Sequence, residues 1–195
     1  MNAQTLQPVV LALQCYEQRL RDLRMEQILP GAPAVDVPDA WVWLRDIVSP
    51  APVPADAFLQ RGARLCVAPT PLLWRGLLLR ALYARRSALR RCIDRRQLAP
   101  VRESLSAVTL MRLTQLSAHR PETTLALPDD PDMPALLHEG LQRLVADGSV
   151  TSPGLIKLVS LQLPLRRIAY DAPAHSAAEA ALFQQDLPLL LPELP

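Results

Sequence analysis

Apolar residues recur at helical spacing through almost every long segment of this chain, and prolines or glycines separate the segments. From Leu6 to Leu29, the positions Val9, Leu13, Tyr16, Leu20, Leu23 and Ile28 mark one face while arginines and glutamates take the other. This predicts an amphipathic helix that ends before Pro30-Gly31. Pro33 to Pro38 reads as a connector. Asp39 is placed to cap a short helix, Ala40 to Val48, with Trp41, Leu44 and Val48 on one side. The run Ser49 to Pro54 alternates proline with small residues and predicts an extended spacer. A short helix around Asp56 to Gly62 and a break over Cys66 to Pro71 follow.

Pro71 suits the first turn of a long helix reaching about Arg96. At roughly 100° per residue, Trp74, Leu78, Ala81, Leu82, Leu89, Cys92 and Ile93 fall within about 120° of arc and form a core stripe. Arg80, Arg86, Arg90 and Arg91 project from the other side. Arg85 falls inside the stripe, which requires either an acidic partner or a break in the packing. Pro100 then opens a second amphipathic helix to about Ser117, with Val101, Leu105, Val108, Leu110, Leu113 and Leu116 inward. His119 to Pro134, with its Asp129-Asp130-Pro131-Asp132 run, predicts a loop. A helix from Pro134 to Asp147 buries Leu137, Leu141, Leu144 and Val145, and Gly148 ends it. Leu155 to Ile168 fits a helix to about Ser160, while Ser160 to Leu165 also alternates well enough for an edge strand. Ala174 to Leu187 is Ala-rich and helical.

The pattern amounts to an all-α fold of about six to eight helices, with at most a trivial strand near the C-terminus. With 195 residues, half of them hydrophobic, a single compact domain is expected. Within it, residues 1–54 are expected to attach more weakly, and 188–195 to form a frayed apolar tail.

Charge changes this picture. Between Leu72 and Arg96 stand Arg75, Arg80, Arg85, Arg86, Arg90, Arg91, Arg95 and Arg96 against one acid, Asp94. The segment carries +7 in a protein of formal charge +2, so the rest sums to −5. Two readings stay open. The exposed set Arg80, Arg86, Arg90 and Arg91 can meet a partner. Alternatively the stretch Glu122 to Asp147, also −5, answers the basic helix from within. A nucleic-acid role for the basic helix over 72–96 is the alternative function. A pI of 8.6, a single lysine and only eight aromatic residues argue against it.

Candidate chemistry is sparse. Cys15, Cys66 and Cys92 are odd in number and far apart, and His119, His138 and His175 are scattered through polar stretches. The pair His138-Glu139 lacks the second histidine of a zinc hydrolase, and there is neither a glycine-rich phosphate loop nor a nucleophile elbow. The expectation is a nonenzymatic protein with no cofactor and no metal. No window approaches 18 uncharged apolar residues, so a membrane span is not expected, and a cytoplasmic protein is.

The run Leu77-Leu78-Leu79-Arg80-Ala81-Leu82-Tyr83, followed by Ala88-Leu89-Arg90-Arg91-Cys92-Ile93, resembles the central helix of the SctK family, sorting-platform adaptors of bacterial type III secretion. The helix Val101 to Leu116, the element Glu139-Gly140-Leu141-Gln142-Arg143-Leu144 and the near-terminal Leu158-Val159-Ser160-Leu161-Gln162-Leu163-Pro164 follow in that family's order. The N-terminal part lacks a Cys-Pro opening and is closer to the plant-associated Hrp branch. The resemblance implies a mainly helical, nonenzymatic adaptor at the cytoplasmic face of the inner membrane. It would bridge the ring protein SctD to SctQ, without nucleic acid.

Overall fold

The computed structural model describes residues 3–23, 53–164 and 176–194. Nine α-helices lie within them: α1 Ala3–Leu23, α2 Arg61–Cys66, α3 Thr70–Tyr83, α4 Arg86–Arg91, α5 Arg95–Ser104, α6 Ala107–Leu116, α7 Met133–Ala146, α8 Pro153–Gln162 and α9 Ala177–Leu190. Short 3-10 turns occupy Ala55–Leu59 and Ser117–His119. The fold is all-α, and no strand occurs among the described residues. The ambiguous segment after Leu155 is helix through Gln162. The expected connector Pro33 to Pro38 and helix Ala40 to Val48 lie outside the described residues, as does the end of the first helix beyond Leu23.

Contacts gather the chain into two compact units. The first comprises the residues up to Pro69 together with Ser149–Gln162. Here α1 buries Val9, Ala12 and Leu20, and Tyr16 tilts against Phe58 with ring centroids 6.1 Å apart. The Arg19 guanidinium donates to the Ala68 carbonyl at 3.0 and 3.3 Å, tying α1 to the segment after α2. Helix α2 packs on α8 through Leu65, Cys66, Leu155, Leu158 and Val159, all fully buried. Gly62 permits the approach, since a Cβ there would lie 2.7 Å from the Ser149 carbonyl oxygen. Burial pushes the Cys66 thiol up to about 12 and holds it as a neutral core group.

The second unit comprises Thr70–Gly148 and Leu163–Leu194. Its axis is α3, buried without interruption from Gly76 to Tyr83. Helix α7 crosses it so closely that a Cβ on Gly140 would overlap the Leu77 carbonyl, so only glycine fits the crossing. Helix α7 buries Leu137, Leu141 and Leu144 and is followed by Gly148 at φ 68, the left-handed residue that closes a helix. Val145, expected inward, is exposed.

The long basic helix expected over 71–96 is three pieces: α3, a turn at Ala84-Arg85, then α4, with α5 starting at Arg95. Ile93 lies in the link between α4 and α5 and is 94% exposed, and Cys92, which ends α4, is half-buried, against the expectation that both are core. Trp74 is likewise exposed. Pro100 does not open a helix but lies inside α5, and the next segment divides at Leu105-Ser106, so Val108 faces outward on α6. These divisions raise the number of α-helices among the described residues to nine. At the C-terminus, α9 runs through Pro188, and Leu190 and Leu191 are fully buried. The expected frayed tail is therefore packed up to that point.

Candidate interaction surface

The fate of each arginine in the basic segment decides what surface is left for a partner. Arg80 is not on the solvent side as expected: it is 1% exposed, at the centre of the second unit. Every residue of α3 from Gly76 to Tyr83 is buried, so no side of this helix faces water at position 80. A buried guanidinium needs full pairing. Arg80 Nε and Nη2 donate to the two carboxylate oxygens of Asp147 at 2.6 and 2.9 Å, and Nη1 donates to Glu179 at 2.9 Å. Burial alone lowers the Arg80 pKa, but the bonds and charges of Asp147 and Glu179 outweigh it and keep the group protonated.

Glu179 lies in the first turn of α9, where the capping Ser176 side chain accepts from its backbone N–H. Its carboxylate stands 3.8 Å from Arg143, and Arg143 Nε donates to Glu139 at 2.8 Å. Glu139 in turn accepts from Arg85 at 2.6 Å. The result is one chain of alternating charge, Asp147, Arg80, Glu179, Arg143, Glu139 and Arg85: three carboxylates and three guanidiniums. Burial tends to raise the Glu139 pKa, but the bonds and charges of Arg85 and Arg143 overcome it and hold this carboxyl below its ordinary value. The first of the two outcomes expected for Arg85 occurs. It finds its acid within Glu122 to Asp147, and it stands at the turn between α3 and α4.

Arg86 is also buried, at 2% exposure, again contrary to the solvent position expected of it. It donates to the carbonyls of Tyr83 and Pro121 at 3.0 and 2.6 Å and lies 4.6 Å from the centroid of the Tyr83 ring. Tyr83 meets Phe183 edge to face at 5.3 Å and donates its hydroxyl to Asp186 at 2.7 Å. Asp186, 1% exposed, is closed off by Arg120 at 2.5 Å. Burial, with the hydrogen bond and charge of Asp186, raises the Tyr83 pKa, so the phenol is neutral and serves as a donor. Arg75 pairs with Glu193 at 2.7 Å.

Half of the sequence-based contact set is therefore buried: Arg80 is answered by acids from within the molecule, and Arg86 by backbone carbonyls. Arg90 and Arg91 are exposed as expected, with Arg91 3.6 Å from an exposed Glu122. Arg95, Arg96 and Arg102 extend the exposed cationic surface along α5. Beside them, a groove of about 760 Å³ between α4, α5 and α6 has an apolar floor containing Leu89 and Leu98. Arg102 and this floor went unrecognised in the sequence, because a single unbroken basic helix hides the packing of α4 on α6.

No group of three or more histidine, cysteine or acidic side chains able to hold a metal occurs among the described residues. His138 Nε2 lies 3.0 Å from the Pro164 carbonyl. No described helix is long and apolar enough to cross a membrane.

A family model described as bacterial type III secretion protein (HrpB4) matches residues 32–193. The chain belongs to this HrpB4 family. That agrees with the SctK-like, Hrp-branch resemblance of its central and C-terminal segments. No curated protein and no solved structure matches the chain. The match to this HrpB4 model spans all of the second unit except its last residue, so the buried ionic chain and the exposed arginines both lie within the matched region.

Proposed function

We propose that this HrpB4-family protein is a nonenzymatic adaptor of a bacterial type III secretion system, bridging an SctD-like inner-membrane ring protein to an SctQ-like sorting-platform protein. Membership of a type III secretion family carries this reading. Three features support it. The fold is helical, and its ionisable groups in the second unit are committed to one another rather than gathered around a cleft. Five arginines, Arg90, Arg91, Arg95, Arg96 and Arg102, are exposed on α4 and α5 against the exposed acids Asp94 and Glu103, which leaves a net cationic surface there. Such a surface favours steered, salt-sensitive association with an acidic protein face. In this reading the protein works in the cytoplasm, at the inner membrane once assembled, and needs neither cofactor nor nucleic acid. The contact residues are Arg90 and Arg91, without the buried Arg80 and Arg86.

Pairwise copurification tests this proposal. The tagged wild-type chain should retain the SctQ-like protein and, separately, the cytoplasmic domain of the SctD-like protein of its own system. Failure with both would refute it.

A further inference from the structure

We infer that the groove between α4, α5 and α6 is the docking site for an acidic amphipathic helix of a partner protein. Its floor contains Leu89 and Leu98, which are 3% and 7% exposed, with Leu110 beside them and Met111 half in solvent at 51%. Arg90 on α4 and Arg102 on α5 stand at its edges. Neither arginine has an ion-pair partner among the described residues, whereas five others of the molecule's arginines, Arg75, Arg80, Arg85, Arg120 and Arg143, sit in close pairs. No acidic residue lines the groove.

These features select the occupant. An apolar floor flanked by two cations complements a helix with apolar residues at i, i+3, i+4 and i+7 and acids on either side of that stripe. The volume of about 760 Å³ accepts several anchor side chains. A nucleic acid is a poorer match, because no aromatic residue in the groove offers a stacking surface. A flat anionic membrane could touch Met111 but could not reach Leu89 and Leu98 on the floor. A second copy joined groove to groove would bring the same arginines face to face. The inference goes beyond the adaptor proposal by naming the chemistry of one contact, and it rests on that proposal only for which apparatus protein supplies the helix.

The test uses the full-length chain and a designed peptide of about twenty residues, long enough to hold a helix, with a leucine stripe flanked by glutamates. A twin carries lysine at every glutamate. The acidic peptide should bind at least about tenfold tighter than its twin. Met111→Gln should weaken that binding several-fold, and the double variant Arg90→Glu/Arg102→Glu should abolish or reverse the preference, each with an unchanged melting curve. Equal binding of the two peptides, or acidic binding that ignores all three substitutions, would overturn the inference. So would retention on phosphatidylglycerol vesicles that Met111→Gln removes while neither peptide binds, or concentration-dependent self-association that the double variant removes. A wild-type chain that binds the acidic peptide through the groove but joins neither SctD-like nor SctQ-like protein would refute the adaptor proposal and leave the groove assignment standing.

Discussion

Arg80 and Asp147 form a bidentate pair in which neither side chain exceeds 1% exposure, joining the middle of α3 to the residue that caps α7. Removing Asp147 leaves a buried guanidinium with Glu179 as its one remaining close counterion. Asp147→Asn is therefore expected to cost about 3–5 kcal/mol. Replacing both, as Arg80→Met/Asp147→Leu, should recover much of that loss, because an apolar pair carries no desolvation penalty. Urea unfolding of the single and double variants measures both. Equal destabilisation by the double and single changes would contradict this account.

A second prediction concerns the crossing of α3 and α7. Gly140→Ala puts a methyl group onto the Leu77 backbone carbonyl, which cannot move aside as a flexible side chain would. The helices must separate, and overpacking of this kind costs about 1–3 kcal/mol or more. Gly148→Ala meets open space but must hold φ 68, so its cost should be smaller, about 1 kcal/mol. Thermal unfolding of the two variants should rank them in that order.

Glu139 gives a pH dependence with a definite sign. Its carboxyl titrates below the ordinary value of 4.5 in the folded protein. The stability it contributes is thus fully present above about pH 4.5 and is lost as pH falls through the folded value. Denaturation midpoints should fall on acidification through this window. Glu139→Gln should be less stable at pH 7 and show a shallower acid loss, since the proton-linked part is absent.

The arginines separate into two classes by variant. Arg80→Gln/Arg86→Gln is expected to unfold at lower temperature, whereas Arg90→Gln/Arg91→Gln should stay within about 0.5 kcal/mol of wild type. The second pair should instead slow association with a partner and flatten its salt dependence. Stopped-flow association beside a melting curve distinguishes them, and the reverse pattern would contradict the placement of these side chains.

Much of the fold was legible as a pattern. The α7 stripe of Leu137, Leu141 and Leu144, the closing Gly148 and the acid-seeking position of Arg85 all follow from helical periodicity. What escaped was the depth of α3. A stripe calculation assumes one wet side, but α3 is buried on all sides from Gly76 to Tyr83, and the Arg80 charge is then tolerable only because Asp147 and Glu179 arrive from 67 and 99 residues away. Long-range pairing of that kind leaves no local signal. The turn at Ala84-Arg85 was equally hidden, because no proline or glycine marks it. Arg86 is buried just beyond it, and Ile93 is exposed because the helix ends at Arg91. Of the surface set, Arg90 and Arg91 were found by charge alone, and Arg102 by none of the patterns.

Loss of Arg80 and Arg86 to the interior weakens the case for phosphate binding. Duplex and single-stranded oligonucleotides are expected to bind no better than weakly at physiological salt, as judged by fluorescence anisotropy. Salt-sensitive submicromolar binding would favour a nucleic-acid role instead.

Bridging is tested most directly by mixing the SctQ-like protein with the cytoplasmic domain of the SctD-like protein, with and without this chain, and measuring mass by sedimentation velocity. The account predicts that the two partners sediment together only when the chain is present, in one species whose mass includes all three. Partners that associate equally well without it, or that compete for it and never share a complex, would contradict a bridging role.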